Sequence, residues 1–206
     1  MQDTHFKNWV SVMSLAVKKS ELRKLLRAKR RALAKDEQLA ASIALIQVIR
    51  PLLARRKIRR IAVYLAMDGE LDLEVFIHYC WQRGIEVYLP AVNRFKPTLW
   101  FARYESNSQL FNNRFGIPEP LKGATLRPWQ LDLVLLPLVG FDQRGGRLGM
   151  GGGFYDRTFA TASRWPKSPT LFGVAHECQK VDAIPLEAWD IQLDGILTDK
   201  KHYRVL

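Results

Sequence analysis

Cysteine and histidine are scarce in this 206-residue chain: there are two cysteines, Cys80 and Cys178, and four histidines, His5, His78, His176 and His202. The cysteines lie far apart and outside any Cys-x-x-Cys pair. The histidines have no metal-ligand spacing, and His176-Glu177-Cys178 is not His-Glu-x-x-His. Neither a disulfide framework nor a zinc site is predicted. No apolar run approaches the ~20 residues that span a bilayer. Met1 to Val17 contains no arginine, and its basic neighbours follow its apolar stretch instead of preceding it. That is not the order of a signal or transit peptide. The segment reads as an N-terminal extension, residues 1–17, expected to be disordered, with Met13 as a second candidate start. Gly-Lys-Ser/Thr is absent, and position 154 is Phe where Gly-x-Gly-x-x-Gly needs glycine. A P-loop NTPase and a dinucleotide-binding Rossmann domain are therefore not indicated.

The length suits one domain with a substantial core. The formal net charge is +12, and it is concentrated. Lys18 to Arg60 holds 15 basic and 3 acidic residues, while the remainder holds 17 of each. Such a basic segment is compatible with a solvated helix face, with binding of a polyanionic small molecule, or with nucleic acid.

What the chain does have is glycine in one place. Four of the five residues from Gly149 to Gly153 are glycine. Each costs about 0.5–1 kcal/mol relative to alanine in a regular element. The loop follows the apolar run Leu131–Leu138 and precedes a helix predicted from Tyr155 to Ala162. Strand, glycine loop and helix together gather backbone N–H groups around an anion, and phosphate is the first candidate. Arg147 and Asp156 bracket the loop. A guanidinium can clamp a phosphoryl group in two-pronged fashion, and an aspartate there can hold Mg²⁺ beside the phosphates. A glycine-rich turn closed by a plain ion pair is the alternative.

Periodicity predicts a helix over 20–34, with Leu22, Leu25, Leu26 and Leu33 inward and Arg23, Lys24, Arg27, Arg30 and Arg31 largely elsewhere. A second helix runs from Asp36 to about Arg50. Strands are predicted at 60–66, 85–90, 98–104, 131–137, 170–175 and 195–198. A helix between Asp72 and Arg83, ended by Gly84, makes the first two strands a βαβ unit. The expected fold is α/β: a single domain, residues 18–206, with a mostly parallel central sheet flanked by helices and a basic helical segment at its N-terminus. Ligands then sit at the carboxyl ends of strands, where Glu70, the glycine loop and His176 all fall.

Leu135-Leu-Pro-Leu-Val-Gly-Phe-Asp142, followed by Arg147-Leu-Gly-Met-Gly-Gly-Gly-Phe-Tyr-Asp-Arg157, strongly resembles the signature of the 5-formyltetrahydrofolate cyclo-ligase family. Lys19-Ser-Glu-Leu-Arg23, Leu65-Ala-Met-Asp-Gly-Glu70, Phe115-Gly-Ile-Pro-Glu-Pro120 and Trp189-Asp-Ile-Gln-Leu-Asp194 resemble further family segments, in the right order. The resemblance runs from about Lys18 to the C-terminus. It implies an ATP- and Mg²⁺-dependent ligase of folate one-carbon metabolism. 5-Formyltetrahydrofolate, with or without a polyglutamate tail, is closed to 5,10-methenyltetrahydrofolate, with release of ADP and phosphate. It further implies a cytoplasmic monomer without nucleic-acid or membrane partners.

The resemblance also implies roles. Arg147 and Glu70 are the catalytic candidates, Arg147 at the transferring phosphoryl group and Glu70 near the formyl group. ATP is expected on Lys19, Ser20, Glu21, Leu22, Arg23, Arg147, Leu148, Gly149, Met150, Gly151, Gly152, Gly153, Phe154 and Tyr155. Folate is expected on Leu65, Met67, Glu70, Met150 and Tyr155, with Trp100 and Phe101 as ring-stacking candidates. Mg²⁺ is expected on Asp156 and Asp194, with Asp190 as the fallback. Some family members carry basic side chains inside the glycine loop. Here Met150 and Gly152 stand there, which shifts the nucleotide clamp onto Arg147, Lys19 and Arg23.

Overall fold

The apolar run that ends at Pro137 forms the middle of the sheet. Strand β7 (Leu133–Pro137) lies between β1 (Arg60–Ala62) and β10 (Thr170–Val174), parallel to both. Its side chains alternate between two cores, as a strand buried on both faces requires. Leu133 and Leu135 join one cluster with Ile61, Val63, Phe76 and Leu89. Val134 and Leu136 join the other with Ala62, Phe101, Phe141 and Phe159. The structure, a computed structural model, describes residues 2–54, 57–93, 95–121 and 123–205; for residues 2–16 it describes the backbone alone.

The remaining strands are β2 (Glu86–Val92), β3 (Leu99–Tyr104), β4 (Leu110–Asn112), β5 (Pro118–Pro120), β6 (Thr125–Leu126), β8 (Gly140–Phe141), β9 (Arg147–Leu148), β11 (Gly195–Leu197) and β12 (His202–Arg204). The central sheet has the order β12-β11-β10-β7-β1-β2-β3-β6. Its five inner strands are parallel, and β12, β3 and β6 add antiparallel edges. Helices α1 (Gln2–Arg31), α2 (Lys35–Ala54), α3 (Glu74–Gln82) and α4 (Phe154–Phe159) surround it. This is the expected α/β architecture. The short pairs β4–β5 and β8–β9 lie outside the central sheet.

The predicted βαβ unit is β1-α3-β2. Asp72 Oδ1 accepts the Glu74 N–H at 2.8 Å where α3 begins, and Gly84, at φ +66°, lets the chain turn after it. From β2 the chain moves outward to β3 and β6, then returns to β7 on the other side of β1. The direction of strand order therefore reverses between β1 and β7, and the crevice outside their carboxyl ends is where such sheets bind ligands.

Helices α1 and α2 are both longer than expected. Helix α1 is continuous from Gln2 to Arg31, so the backbone of the supposed disordered extension is helical. No glycine or proline interrupts those residues. Helix α2 is long and apolar enough, by length and composition, to cross a membrane. In the fold it turns Ala41, Ser42, Leu45 and Ile49 inward and packs on the same core as α3.

Candidate active site

The glycine loop is carried by a small hairpin at the carboxyl end of β7. Asp142 builds the hairpin turn: its Oδ1 accepts the Arg144 and Gly146 N–H groups at 2.8 and 2.9 Å, and its Oδ2 accepts the Ile184 N–H at 2.8 Å. Leu26 of α1 packs so closely on Gly140 that a β-carbon there would collide with it. Strand β9 then delivers Arg147 and the loop.

Arg147 is buried. It donates to the Ile191 carbonyl at 2.6 Å and to Asp156 Oδ1, which also accepts the Ile191 N–H at 3.2 Å. The two residues that bracket the loop are thus paired with each other. Arg23 of α1 donates from Nε to the Gly149 carbonyl at 2.8 Å, and its guanidinium lies beside Gly151. Gly151 and Gly153 adopt φ +94° and +62°, values that strain any other residue. Among the described residues, the N–H groups of Met150, Gly151 and Gly152 make no backbone hydrogen bond outside regular elements. That leaves them free for an anion. Arg157 holds the far side of the loop, donating to the carbonyls of Pro97, at 2.8 Å, and Gly152.

Lys19, one turn before Arg23, is buried and bonded to Glu187 at 2.6 Å and Asp190 at 3.2 Å. Asp190 immediately precedes Ile191, so the 187–191 segment joins Lys19 to the Arg147–Asp156 pair. Asp194 is placed differently. Its Oδ2 accepts the Leu171 N–H at 2.7 Å, tying it to the start of β10. The structure therefore brings Asp190, not Asp194, next to the Arg147–Asp156 pair; the reason is that Asp194 is spent on the backbone where β10 and β11 begin. Among the described residues there is no group of three or more Asp, Glu, His or Cys that could hold a metal.

The other half of the site follows β1. Asp68 and Gly69 both have positive φ, +56° and +75°, in a tight turn that presents Glu70. Asp68 is a hub for three guanidiniums of α1: Arg27 at 2.7 Å, Arg30 at 2.9 Å, and Arg31. They hold its carboxyl at about 2 despite some burial. Glu70 accepts the Met67 N–H at 3.2 Å, and its other oxygen lies 3.6 Å from Arg30. Burial raises its pKa, and Arg30 opposes that rise most strongly. Tyr155, on the first turn of α4, is held protonated by burial and, less strongly, by the Glu70 charge. His176, at the end of β10, is buried, with burial lowering its pKa.

Arg30 was missed by the sequence reading. The amphipathic pattern set Leu25 inward and Arg30 outward. In the fold Leu25 is 54% exposed and Arg30 is 0% exposed. Helix α1 docks on strand ends rich in carbonyls and carboxylates, so its inner face is made of Lys19, Leu26 and Arg30, with Arg23 and Arg27 half-buried. A run of basic residues hides that choice.

Of the remaining candidates, Ser20, Glu21, Met67 and Met150 are exposed, and Leu65 is half-buried against the core. Leu22 and Leu148 pack with Leu26. Phe154 meets Phe115 of the β4–β5 hairpin edge-on at 5.5 Å. Trp100 lies under Arg127. Phe101 is fully buried beside Phe159 and belongs to the core, so its stacking role is withdrawn. A cleft of about 610 Å³ lined by Arg50, Tyr79, Arg83 and Ile85 lies at the start of β2 and shares no residue with this site.

Comparison with known proteins agrees with the motif order. Residues 16–199 match the model of the 5-formyltetrahydrofolate cyclo-ligase family. The 5-formyltetrahydrofolate cyclo-ligase of Escherichia coli (strain K12) is 44% identical over 144 residues, 68% of this chain and 78% of that protein. The Haemophilus influenzae protein of the same name is 39% identical over 184 residues, 87% of this chain and 97% of that one. Among solved structures, 5,10-methenyltetrahydrofolate synthetase of Aquifex aeolicus superposes with a TM-score of 0.77 at 32% identity, covering 91% of this chain and 92% of its own. The synthetase of Mycoplasma pneumoniae gives 0.71 at 29% identity, covering 88% and 99%.

Proposed function

The chain belongs to the 5-formyltetrahydrofolate cyclo-ligase family and is a ligase acting on folate; from that premise we propose that it spends ATP to close 5-formyltetrahydrofolate into 5,10-methenyltetrahydrofolate. The observation that carries this reading is the meeting of two unlike half-sites at the β1–β7 switch point. One offers guanidiniums and free backbone N–H groups, and the other offers a buried carboxylate and a tyrosine.

The chemistry needs both. A formamide carbon is a poor electrophile, and its oxygen is a poor leaving group. The formyl oxygen attacks the γ-phosphorus, and the bond to the bridging oxygen breaks as ADP departs. N10 of the same folate then attacks the activated carbon and loses its proton to solvent. The carbon–oxygen bond breaks, and phosphate leaves. Nucleophile and electrophile both belong to the substrate, so the protein contributes positioning and charge stabilisation.

In this reading the loop N–H groups from Gly149 to Gly153 cradle the phosphates, and Lys19 and Arg23 neutralise them from one face of α1. Arg147 meets the transferring phosphoryl group with a planar fork. Asp156 and Asp190 would hold Mg²⁺, which supplies charge neutralisation at the phosphates when bound. Glu70 hydrogen-bonds the folate near the formyl group, and Tyr155 stands between the two substrates. Leu65 and Met67 wall the folate side.

The test is direct: purified protein, MgATP and 5-formyltetrahydrofolate, with the absorbance of the methenyl product followed against controls lacking ATP or magnesium. Product that depends on both supports the reading. Folded protein that yields none would mean the loop serves another substrate.

A further inference from the structure

Arg30 joins the two half-sites. Its Nε donates to the Asp68 carbonyl at 2.8 Å, and one terminal nitrogen donates to Asp68 Oδ2 at 2.9 Å and lies 3.6 Å from Glu70 Oε1. The other terminal nitrogen donates to the Leu138 carbonyl at 3.2 Å. Leu138 is the first residue after β7, where the chain leaves for the hairpin that carries Arg147. One side chain therefore spans from the turn that presents Glu70 to the strand end that presents the glycine loop. The contact is close on the backbone side as well: a β-carbon on Gly69 would come within 3.2 Å of the Arg30 carbonyl.

We propose that Arg30 is a positioning residue for the folate step, clamping the 68–70 turn onto the end of β7 and giving Glu70 its nearest counter-charge. The inference rests on the folate role of Glu70. The groups facing that carboxyl are Arg30 and Arg27 from α1, Asp68 from its own turn, Tyr64 after β1, and Tyr155 from α4. His176 lies against the backbone of Gly69 and Glu70. Arg27 is a third exposed and committed to Asp68, so it does not replace Arg30. A lysine at position 30 would keep the charge but cannot reach Asp68, Glu70 and Leu138 together, because it lacks the planar fork.

The test compares Arg30→Met, Arg30→Lys, Glu70→Gln and the Arg30→Met/Glu70→Gln double variant, with kcat and KM measured for each substrate across the pH profile. Arg30→Met should lower kcat/KM for 5-formyltetrahydrofolate by about tenfold or more at neutral pH, as loss of one partner of a buried charged pair does. Its acidic limb should move to higher pH, and KM for MgATP should stay within about twofold. Arg30→Lys should restore the limb and only part of the rate. In the Glu70→Gln background, Arg30→Met should add little. A folded Arg30→Met enzyme with wild-type folate KM and an unmoved limb overturns the proposal even if Glu70→Gln is damaged. Wild-type folate use by Glu70→Gln instead removes the Glu70 reading beneath it. Should Arg30→Met not fold, Arg30→Lys decides: undiminished kcat/KM for folate overturns the clamp.

Discussion

Arg147 and Asp156 hold each other. The guanidinium donates to Asp156 Oδ1, and both side chains are bonded to the backbone of Ile191, one to its carbonyl and the other to its N–H. The pair closes the base of the glycine loop and leaves neither side chain to find its position when substrates arrive. Preorganised charge of this kind is effective because it needs no rearrangement as charge moves in the reaction.

The first expectation concerns that arginine. Arg147→Ala should cut turnover by about a thousandfold, the scale on which a charge-stabilising donor matters, while 5-formyltetrahydrofolate still binds. Steady-state turnover together with equilibrium folate titration checks it. Wild-type turnover would reject the phosphoryl role. Arg147→Lys should recover little, since an ammonium cannot serve Asp156, Ile191 and a phosphoryl oxygen in one plane.

The glycines separate two effects that usually travel together. Gly153→Ala forces a side chain into φ +62° and towards Arg157, where the added carbon would sit 2.7 Å from a terminal nitrogen. It should cost about 1–2 kcal/mol of stability. Gly149 has nothing within 4 Å of the place its β-carbon would occupy and no positive φ. Gly149→Ala should therefore leave thermal unfolding unchanged and still raise KM for MgATP, if phosphate approaches the backbone there. An unchanged KM would place the nucleotide elsewhere on the loop.

Much of this was legible in the sequence because it is carried by pattern. Apolar runs such as Leu131–Leu138 gave the inner strands. The strand, glycine loop and helix between 131 and 159 fall in the order the pattern predicts, with Arg147 and Asp156 paired at the base of the loop. Glu70 and the glycine loop follow the carboxyl ends of strands, as the α/β reading expected, and β1 and β7 turn out to be neighbours. The shortest strands were not legible: β6 and β8 are two residues long, too short to show alternation. Arg30 was hidden for a different reason. Helical periodicity sorts residues by hydrophobicity, and the inner face of α1 is polar because its dock is a set of carbonyls and carboxylates. Asp190 pairs with Lys19 and Asp194 with the Leu171 backbone, a difference no spacing rule records.

Acid should expose the Asp68 hub. Its carboxyl is depressed to about 2 from an ordinary 3.8. A depressed carboxylate contributes stability that is fully present above its unfolded value and is lost as pH falls through the folded one. Asp68→Asn should destabilise the protein at neutral pH by on the order of 2 kcal/mol, as three guanidiniums lose a shared partner. The gap from wild type should narrow as pH falls from about 4 towards 2. Denaturant midpoints at the two ends of that window measure it. A gap that stays constant would mean the carboxylate charge is not what the arginines hold.

The two C-terminal aspartates should differ in their magnesium dependence. Asp190 lies beside Lys19 at 3.2 Å and next to the residue that binds Arg147 and Asp156. Asp194 caps the Leu171 N–H. If Mg²⁺ is held by Asp156 and Asp190, then Asp190→Asn should raise the magnesium concentration needed for half-maximal turnover by about tenfold or more, as loss of one of two carboxylate ligands to a weakly dehydrated ion would. It should also lower stability by about 1 kcal/mol or more, because Asp190 Oδ2 accepts the Glu187 N–H at 2.9 Å and pairs with buried Lys19. Asp194→Asn should keep the magnesium requirement and lower stability by about 1 kcal/mol, the worth of one weakened backbone cap. Titrating magnesium against turnover, with thermal unfolding run on the same preparations, separates the two. The reverse pattern, with magnesium dependence moved by Asp194→Asn alone, would return the metal to Asp194, the residue the family resemblance implies. It would also require the start of β10 to release its cap when nucleotide binds.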